Sequence, residues 1–593
     1  MESIEISHQF KTTSHSFSSP TATHTASLSG SRLQIRSLAT LEITRSIILP
    51  NSHDLRNSRL AWSPPTTSTY STTSTPPRRS QPVRSNRILV ADDETTRVYD
   101  LRDEKWSAVI RNGSGGMGKN VHVEFGRNEE EVVVWSDFQS KVSVWCLRTG
   151  RTVEVKDPKI ISQRERGWGW GWGWRPGDGE KVLACLCRSG GQDVLLLMAP
   201  GSYKVLKRVE LGTVDAQGLR WSRDGRWVSV WDSPGSGFRV QVYTADGHLY
   251  RTINREPQEE SREWGIGGLG VKSVEWVPGG EWLAVGGWDR RVRMLSSRTF
   301  SPVVFLDHTA QIQIPSAPVY TEQVPASGVR SYAVSPQPVS PPTAQTTPND
   351  TVPKQGISII TFNADSTLVA TRDDSTPTTV WIWDLRSLSP KTILIQHAPV
   401  KSLQWHPTNP SLLLIQCIQD TPILYLWSAP SLSTSTSQSS SPPPPPEILD
   451  LNPNITKPLG SATIKWDVKW LSTFENKKPC FLFGHQQGYI LVWPEGREQI
   501  LRFENEEDEE SEDSLYDILT GRTPVPRLHD SSGSDLKDEE NEDGGTYAEG
   551  ETYSSGEGST RSLEDTFRER KKVNPGVGRK KSVFDESGMS EMF

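Results

Sequence analysis

The chain has 593 residues, 34% hydrophobic and 23% charged, enough for a large folded body with polar sequence left over for loops and tails. Its net charge of −7 is uneven: from Glu504 onward 25 Asp and Glu face 11 Lys and Arg, a net of −14, which leaves +7 for residues 1–503. No apolar run nears the roughly 18 residues of a membrane span, the start from Met1 has neither a basic end nor an apolar core, and five scattered Cys exclude a disulfide framework, so a soluble intracellular protein is expected.

In chain order, short alternating segments recur between turn residues. Unit one has Thr23 to Leu28, Arg32 to Arg36 and Thr40 to Ile48. Unit two opens at Arg59 to Pro64, is interrupted by a Ser/Thr/Pro-rich insert at residues 65–86, and resumes from Arg87 to Asp100. Unit three is Val121 to Phe125, Val132 to Trp135 and Lys141 to Trp145, and unit four starts with Gly167 to Trp174. Unit five runs from Gly218 to Ile253. Unit six is the clearest: Val274 and Trp276 alternate with polar neighbours, Pro278-Gly279-Gly280 turns the chain, Trp282 to Gly286 returns, and Trp288-Asp289-Arg290-Arg291 turns it again. At this turn the Asp289 side chain is expected to bond the following backbone. Residues 309–356, rich in Pro, Ser, Thr and Gln, are expected to be a long loop. Units seven to nine are Ile357 to Arg386, Val400 to Trp427 with a Ser/Pro run over 431–446, and Ile464 to Trp493.

Four strands in about 40 residues, with a Trp-Asp turn, describe one blade of a WD40-type β-propeller. The expectation is an all-β fold of about seven to nine four-stranded blades over residues 1–503, with inserts at 65–86, 309–356 and 431–446, and a disordered acidic tail over 504–593. One large ring fits better than rings of four and five because no linker divides the units, and Ile4 to Phe10 is placed to close it against the last blade. Trp221, Trp276, Asp289, Trp381, Trp383, Asp384 and Trp405 are the expected blade-building residues.

Chemical motifs are weak. Gly113 to Lys119 matches part of a phosphate-binding loop, but Asn120 replaces the magnesium-binding hydroxyl and a strand follows where a helix is required. Cys185 and Cys187 share a strand face, as core residues do, and the eleven His show no metal-ligand spacing. No nucleophile, base and acid come together, so neither an enzyme nor a metal or other cofactor is expected, and nothing points to nucleic acid or membrane. Period two puts the Trp of Gly167 to Trp174 on one face, where they fill the wedge toward a neighbouring blade or form an exposed aromatic ladder. In the tail, Arg568 to Lys572 and Arg579 to Lys581 are solvated charge or import signals.

The series Leu368 to Asp374, Pro377, Val380 to Asp384 and Pro399 to Pro407 is more particular than a generic blade. With Gln217 to Asp232 and Gly270 to Gly287, it resembles a WD-repeat family of centrosomes and yeast spindle pole bodies, over residues 10–500. The residues that carry the likeness are Thr371, Arg372, Asp373, Asp374 and Pro377. The resemblance implies a non-enzymatic scaffold of the cytoplasm and cytoskeleton that anchors microtubule minus ends at the spindle pole. It implies as partners a coiled-coil anchoring protein and, in fungi, a kinesin-14 motor, with a gamma-tubulin complex a further candidate. The insert at 65–86, the Trp-Gly run and the acidic tail depart from that pattern.

Two other readings stand beside it. Trp383, Asp384 and Arg386, and more weakly Tyr99 to Arg102, resemble the Trp-Asp-x-Arg box by which substrate receptors dock onto the adaptor of cullin-4 ubiquitin ligases. Ser335, Ser340 and Thr347 each precede Pro and are candidate sites for a proline-directed kinase, which would add about −2 charge at each.

Overall fold

The computed structural model describes residues 4–65, 85–111, 118–137, 141–159, 171–177, 181–254, 270–326, 328–345, 354–430, 443–458, 464–471 and 478–497. One unit spans Met1–Leu501, two residues short of the boundary expected at 503; the tail lies outside the described residues.

Alternation and turn chemistry produce strands. In blade six, Val271–Trp276, Trp282–Gly287, Arg291–Ser296 and Pro302–Asp307 form a four-stranded antiparallel meander. Gly280, at φ 76°, takes the left-handed position of the first turn without a side-chain penalty. Among the described residues nine sheets succeed one another along the chain, seven of them four-stranded. Second strands are buried on both faces, as in Glu131–Ser136 and Leu412–Cys417, because each sheet is packed between two others.

Nine hydrophobic clusters join the blades in one cycle. Leu28 and Ile35 of blade one meet Trp62 and Val90 of blade two, and Leu89 and Val98 meet Phe125 and Val132 of blade three. Val133 and Trp135 meet Trp172 and Leu183 of blade four; Leu186 and Leu197 meet Trp221 and Val228 of blade five. Val240 and Val242 meet Trp276 and Leu283 of blade six, and Ala284 and Met294 meet Val369 and Trp383 of blade seven. Ala370 and Ile382 meet Leu413 and Tyr425 of blade eight, and Leu412 and Leu424 meet Trp470 and Phe481 of blade nine. Finally Tyr489 and Leu491 of blade nine share a cluster with Phe10, Ala22 and Leu41 at blade one. Blade four packs onto blade five, so the ring is single.

The N-terminus closes it as expected. Glu5–Ile6 and Phe10–Lys11 pair antiparallel with Gly488–Trp493, completing blade nine from the other end of the chain.

One expectation needs correction. Residues 309–356 are not simply a loop: Val319–Gln323 pairs in parallel with Ser389–Ile395, the outer strand of blade seven, and Ser331–Val334 pairs beyond it. Blade seven thus has six strands, because β-branched residues between the prolines find an open sheet edge. At the Asp289 turn a side-chain partner is also present: Arg293 donates to both carboxylate oxygens, at 3.2 and 2.7 Å. Arg293 is 2% exposed, and a buried guanidinium draws the nearest carboxylate to it.

Candidate functional site

In each blade the first and third strands run one way and the second and fourth the other. The second-to-third turns and the links between blades therefore share one face of the ring, the link face, and the remaining hairpin turns share the far face.

First strands ending in Trp couple neighbouring blades. The indole of Trp62 donates to Phe17 O at 2.8 Å, Trp221 to Gly173 O at 2.9 Å, Trp276 to Arg220 O at 3.3 Å, Trp405 to Thr361 O at 3.0 Å and Trp470 to Gln404 O at 3.0 Å. Each acceptor is a backbone carbonyl of the preceding blade's first strand, so one side chain fixes both the spacing and the register of two sheets.

The distinctive residues of blade seven form a denser version of this coupling. Thr371 Oγ1 lies 2.9 Å from the donating indole nitrogen of Trp383 and 2.7 Å from His308 Nε2 at the end of blade six. Trp381 stacks on Trp383 at 5.3 Å, and burial pushes the His308 imidazole down to about 4, which keeps it neutral at pH 7. On the link face Asp373, fully buried, accepts from Arg290 Nε of blade six at 2.6 Å, and from the amides of Gly356 and Ser375 at 2.9 and 3.0 Å. Burial alone would raise the Asp374 carboxyl, but Lys272 of blade six and Arg372 beside it hold it below the usual range. Arg372 also donates to Ser358 Oγ at 2.8 Å and to Val400 O, at the start of blade eight. Pro377 O accepts from the Val400 amide at 2.8 Å. All five residues therefore serve as a brace across blades six, seven and eight, with charges paired inside it.

Against known families, the model of the WD domain, G-beta repeat, matches residues 267–295, the first three strands of blade six. The fold is that of a WD40-type β-propeller. It is 28% identical over 352 residues to the WD repeat-containing protein WRAP73 of Mus musculus, covering 56% of this chain and 71% of that protein. It is 25% identical over 346 residues to an uncharacterized WD repeat-containing protein of Schizosaccharomyces pombe, covering 56% of this chain and 64% of that protein. Among solved structures, the C-terminal WD40 domain of Sif2 aligns at a TM-score of 0.38 and 11% identity, over 70% of this chain and 95% of that one. The coarse function is that of a scaffold-type WD-repeat protein engaged in protein–protein interaction.

The other sequence candidates fall at different places on this WD-repeat ring. Trp383 is buried in the brace, Asp384 accepts the Arg386 amide at 2.8 Å to shape the far-face turn, and Arg386 is exposed. In the weaker box, Arg102 is exposed but ion-paired, to Asp100 at 2.6 Å and to Glu129 of blade three at 2.9 Å. Ser335 is half-buried with its hydroxyl 2.6 Å from that of Thr321; Ser340 is exposed; Thr347 lies outside the described residues. Of the Trp-Gly run, Trp172 packs edge-on to Trp135 of blade three at 5.4 Å, and Trp221 approaches the bare backbone of Gly173 from blade five, while Trp168 and Trp170 lie outside the described residues. The Cys185 and Cys187 thiols sit 3.9 Å apart, both buried in the core. Asn120–Phe125 is a strand. Among the described residues no group of three His, Cys, Asp or Glu is placed to hold a metal ion.

His308 was missed in sequence. Its link to Thr371 spans 63 positions because the excursion over 309–356 separates the end of blade six from the strand it contacts. The signal available was His308 directly following a blade's outer strand, one blade before a Thr and a Trp on adjacent strands.

Proposed function

We propose that this WD-repeat protein is a scaffold of the spindle pole body or centrosome that helps anchor microtubule minus ends and organise the mitotic spindle. The observation that carries the reading is the residue series from Leu368 to Pro407, whose likeness to the centrosomal WD-repeat family includes the brace residues Thr371, Arg372, Asp373, Asp374 and Pro377. A brace of this kind gives a scaffold what it needs, loops held at fixed angles on a ring that does not flex. The proposed partners are a coiled-coil anchoring protein and a kinesin-14 motor, with a gamma-tubulin complex a further candidate, in the cytoplasm and cytoskeleton at the microtubule-organising centre.

Affinity purification of the tagged chain from dividing cells, with imaging of the tag, tests this. Recovery of a coiled-coil protein and a kinesin-14 with signal at spindle poles is the expected outcome; their absence with diffuse signal overturns it. The exposure of Arg386 beside Asp384 favours one second reading, docking onto the cullin-4 adaptor. Under that reading, Arg386→Ala abolishes recovery of the adaptor and leaves the ring folded, and unchanged recovery rejects it. Phosphorylation at Ser335, Ser340 and Thr347 is proposed as the means of retuning partner docking in mitosis.

A further inference from the structure

The seam where the ring closes frames an open cavity on the link face. Its volume is about 590 Å³, and its walls come from residues 9–13 of the N-terminal segment, 456–458 of the link into blade nine, and 485–487 of that blade's second-to-third turn. Side chains fix these walls to one another. Gln9 Oε1 accepts from the amide and the hydroxyl of Thr456, at 3.0 and 2.8 Å. The Gln9 side-chain nitrogen lies 2.5 Å from where a Cβ on residue 488 would stand, so the bare backbone of Gly488 makes room for it. The buried His485 ring bonds to Thr456 O at 3.2 Å and accepts from the Gln487 amide at 3.0 Å, and Thr12 donates to Gln486 O at 3.0 Å. With both its nitrogens engaged and burial pushing the imidazole down, His485 is a neutral part of the wall.

The charge of this cavity is one-sided. Lys11 and Lys457 line it, both exposed and without an ion pair among the described residues, and no described Asp or Glu lines it. A smaller cavity, of about 260 Å³ between blades one and two, differs on both counts: Glu104 lines it, and its Arg102 is already paired with Asp100 and Glu129. Two unpaired ammonium groups beside a wall of amides and hydroxyls complement a dianion, and as point charges they suit a tetrahedral anion without the planar match that a guanidinium makes with a carboxylate. A phosphate monoester carries about −2 charge at pH 7 and presents three acceptor oxygens. The exposed side chains of Thr13, Gln486 and Gln487 supply donors for them.

We propose that the cavity at the seam binds a phosphate monoester, carried by a phosphorylated side chain of a partner protein or by a small organic phosphate. The site does not depend on the cellular location proposed above. The test uses the full chain and three probes: a fluorescent phosphoserine peptide, its serine counterpart and glycerol 2-phosphate. A phosphorylated probe is expected to bind, to slow amide exchange over residues 9–13 and 485–487, and to bind at least about tenfold more weakly to the Lys11→Gln/Lys457→Gln variant, while the serine peptide binds at least about tenfold more weakly than the phosphoserine peptide. Preference for the phosphoserine peptide over glycerol 2-phosphate assigns the source to a phosphorylated partner, and the reverse preference to a small organic phosphate. No binding of either phosphorylated probe, equal affinity for the unaltered chain and the variant, or protection only elsewhere overturns the proposal. Should the variant fail to fold, the exchange footprint on the unaltered chain decides.

Discussion

Thr371 shows how one hydroxyl can hold two blades together. It serves both the Trp383 indole and the His308 ring, from side chains that are 4% and 1% exposed. Thr371→Val keeps the shape and removes the oxygen, leaving two buried polar nitrogens unpaired at about 1–3 kcal/mol each. The expected loss is about 2–5 kcal/mol in denaturant unfolding followed by Trp fluorescence, while Thr371→Ser, which keeps the hydroxyl, loses far less. Equal losses from the two substitutions would show that packing of the methyl group, rather than the hydroxyl, holds the joint. Thr371 was legible as a distinctive residue, but its role was not, because its partner His308 arrives from another blade.

At the scale of elements, the excursion after blade six is the clearest departure from what composition suggested. Pro, Ser and Thr predict a solvated loop, yet the segment is held by a buried carboxylate. Glu322, with its side chain 0% exposed, accepts from Arg330 at 2.9 Å, from the Tyr425 hydroxyl of blade eight at 2.7 Å and from the His397 amide at 2.8 Å. Glu322→Ala leaves the Arg330 guanidinium, 11% exposed, without its carboxylate, a change that costs about 3–5 kcal/mol where a buried pair is broken. Because the loss falls on an appended hairpin, amide exchange over Val319–Gln323 should rise at least about tenfold while the second strand of blade seven keeps its protection. Uniform protection throughout would mean that the hairpin is held by its strand pairing alone.

Closure is the property of the whole ring. The last blade has three strands of its own, Asp467–Trp470, Phe481–His485 and Gly488–Trp493, and takes the remainder from Glu5–Ile6 and Phe10–Lys11. Phe10 is 4% exposed against Tyr489, at a ring separation of 5.1 Å. Removing residues 1–11 exposes that edge and this aromatic contact, and is expected to cost about 5 kcal/mol from the ladder bonds and the buried ring together. The measurement is the unfolding midpoint of the shortened chain, with and without a synthetic peptide of residues 4–13. A midpoint that does not move would place the closure in the side-chain clusters between blades rather than in the strand.

Alternation of side chains and the turn residues between them are local properties, so the sequence by itself determined most of the blade strands, the repeating units and the closing segment, with the blade count bounded at about seven to nine. Trp at the ends of first strands was equally visible, since a large ring at a repeated position needs a repeated space. Three features were decided only by the tertiary structure. The units form one cycle rather than two, which depends on which faces meet. The excursion over 309–356 pairs in parallel with an edge that its own sequence does not encode. The residues most distinctive of the family form a brace between three blades, because Asp373, Asp374 and Arg372 find Arg290, Lys272 and Val400 only once the ring brings distant strands side by side. Each depends on contacts between residues far apart in the chain, and a one-dimensional pattern carries no record of which distant partner lies across the gap.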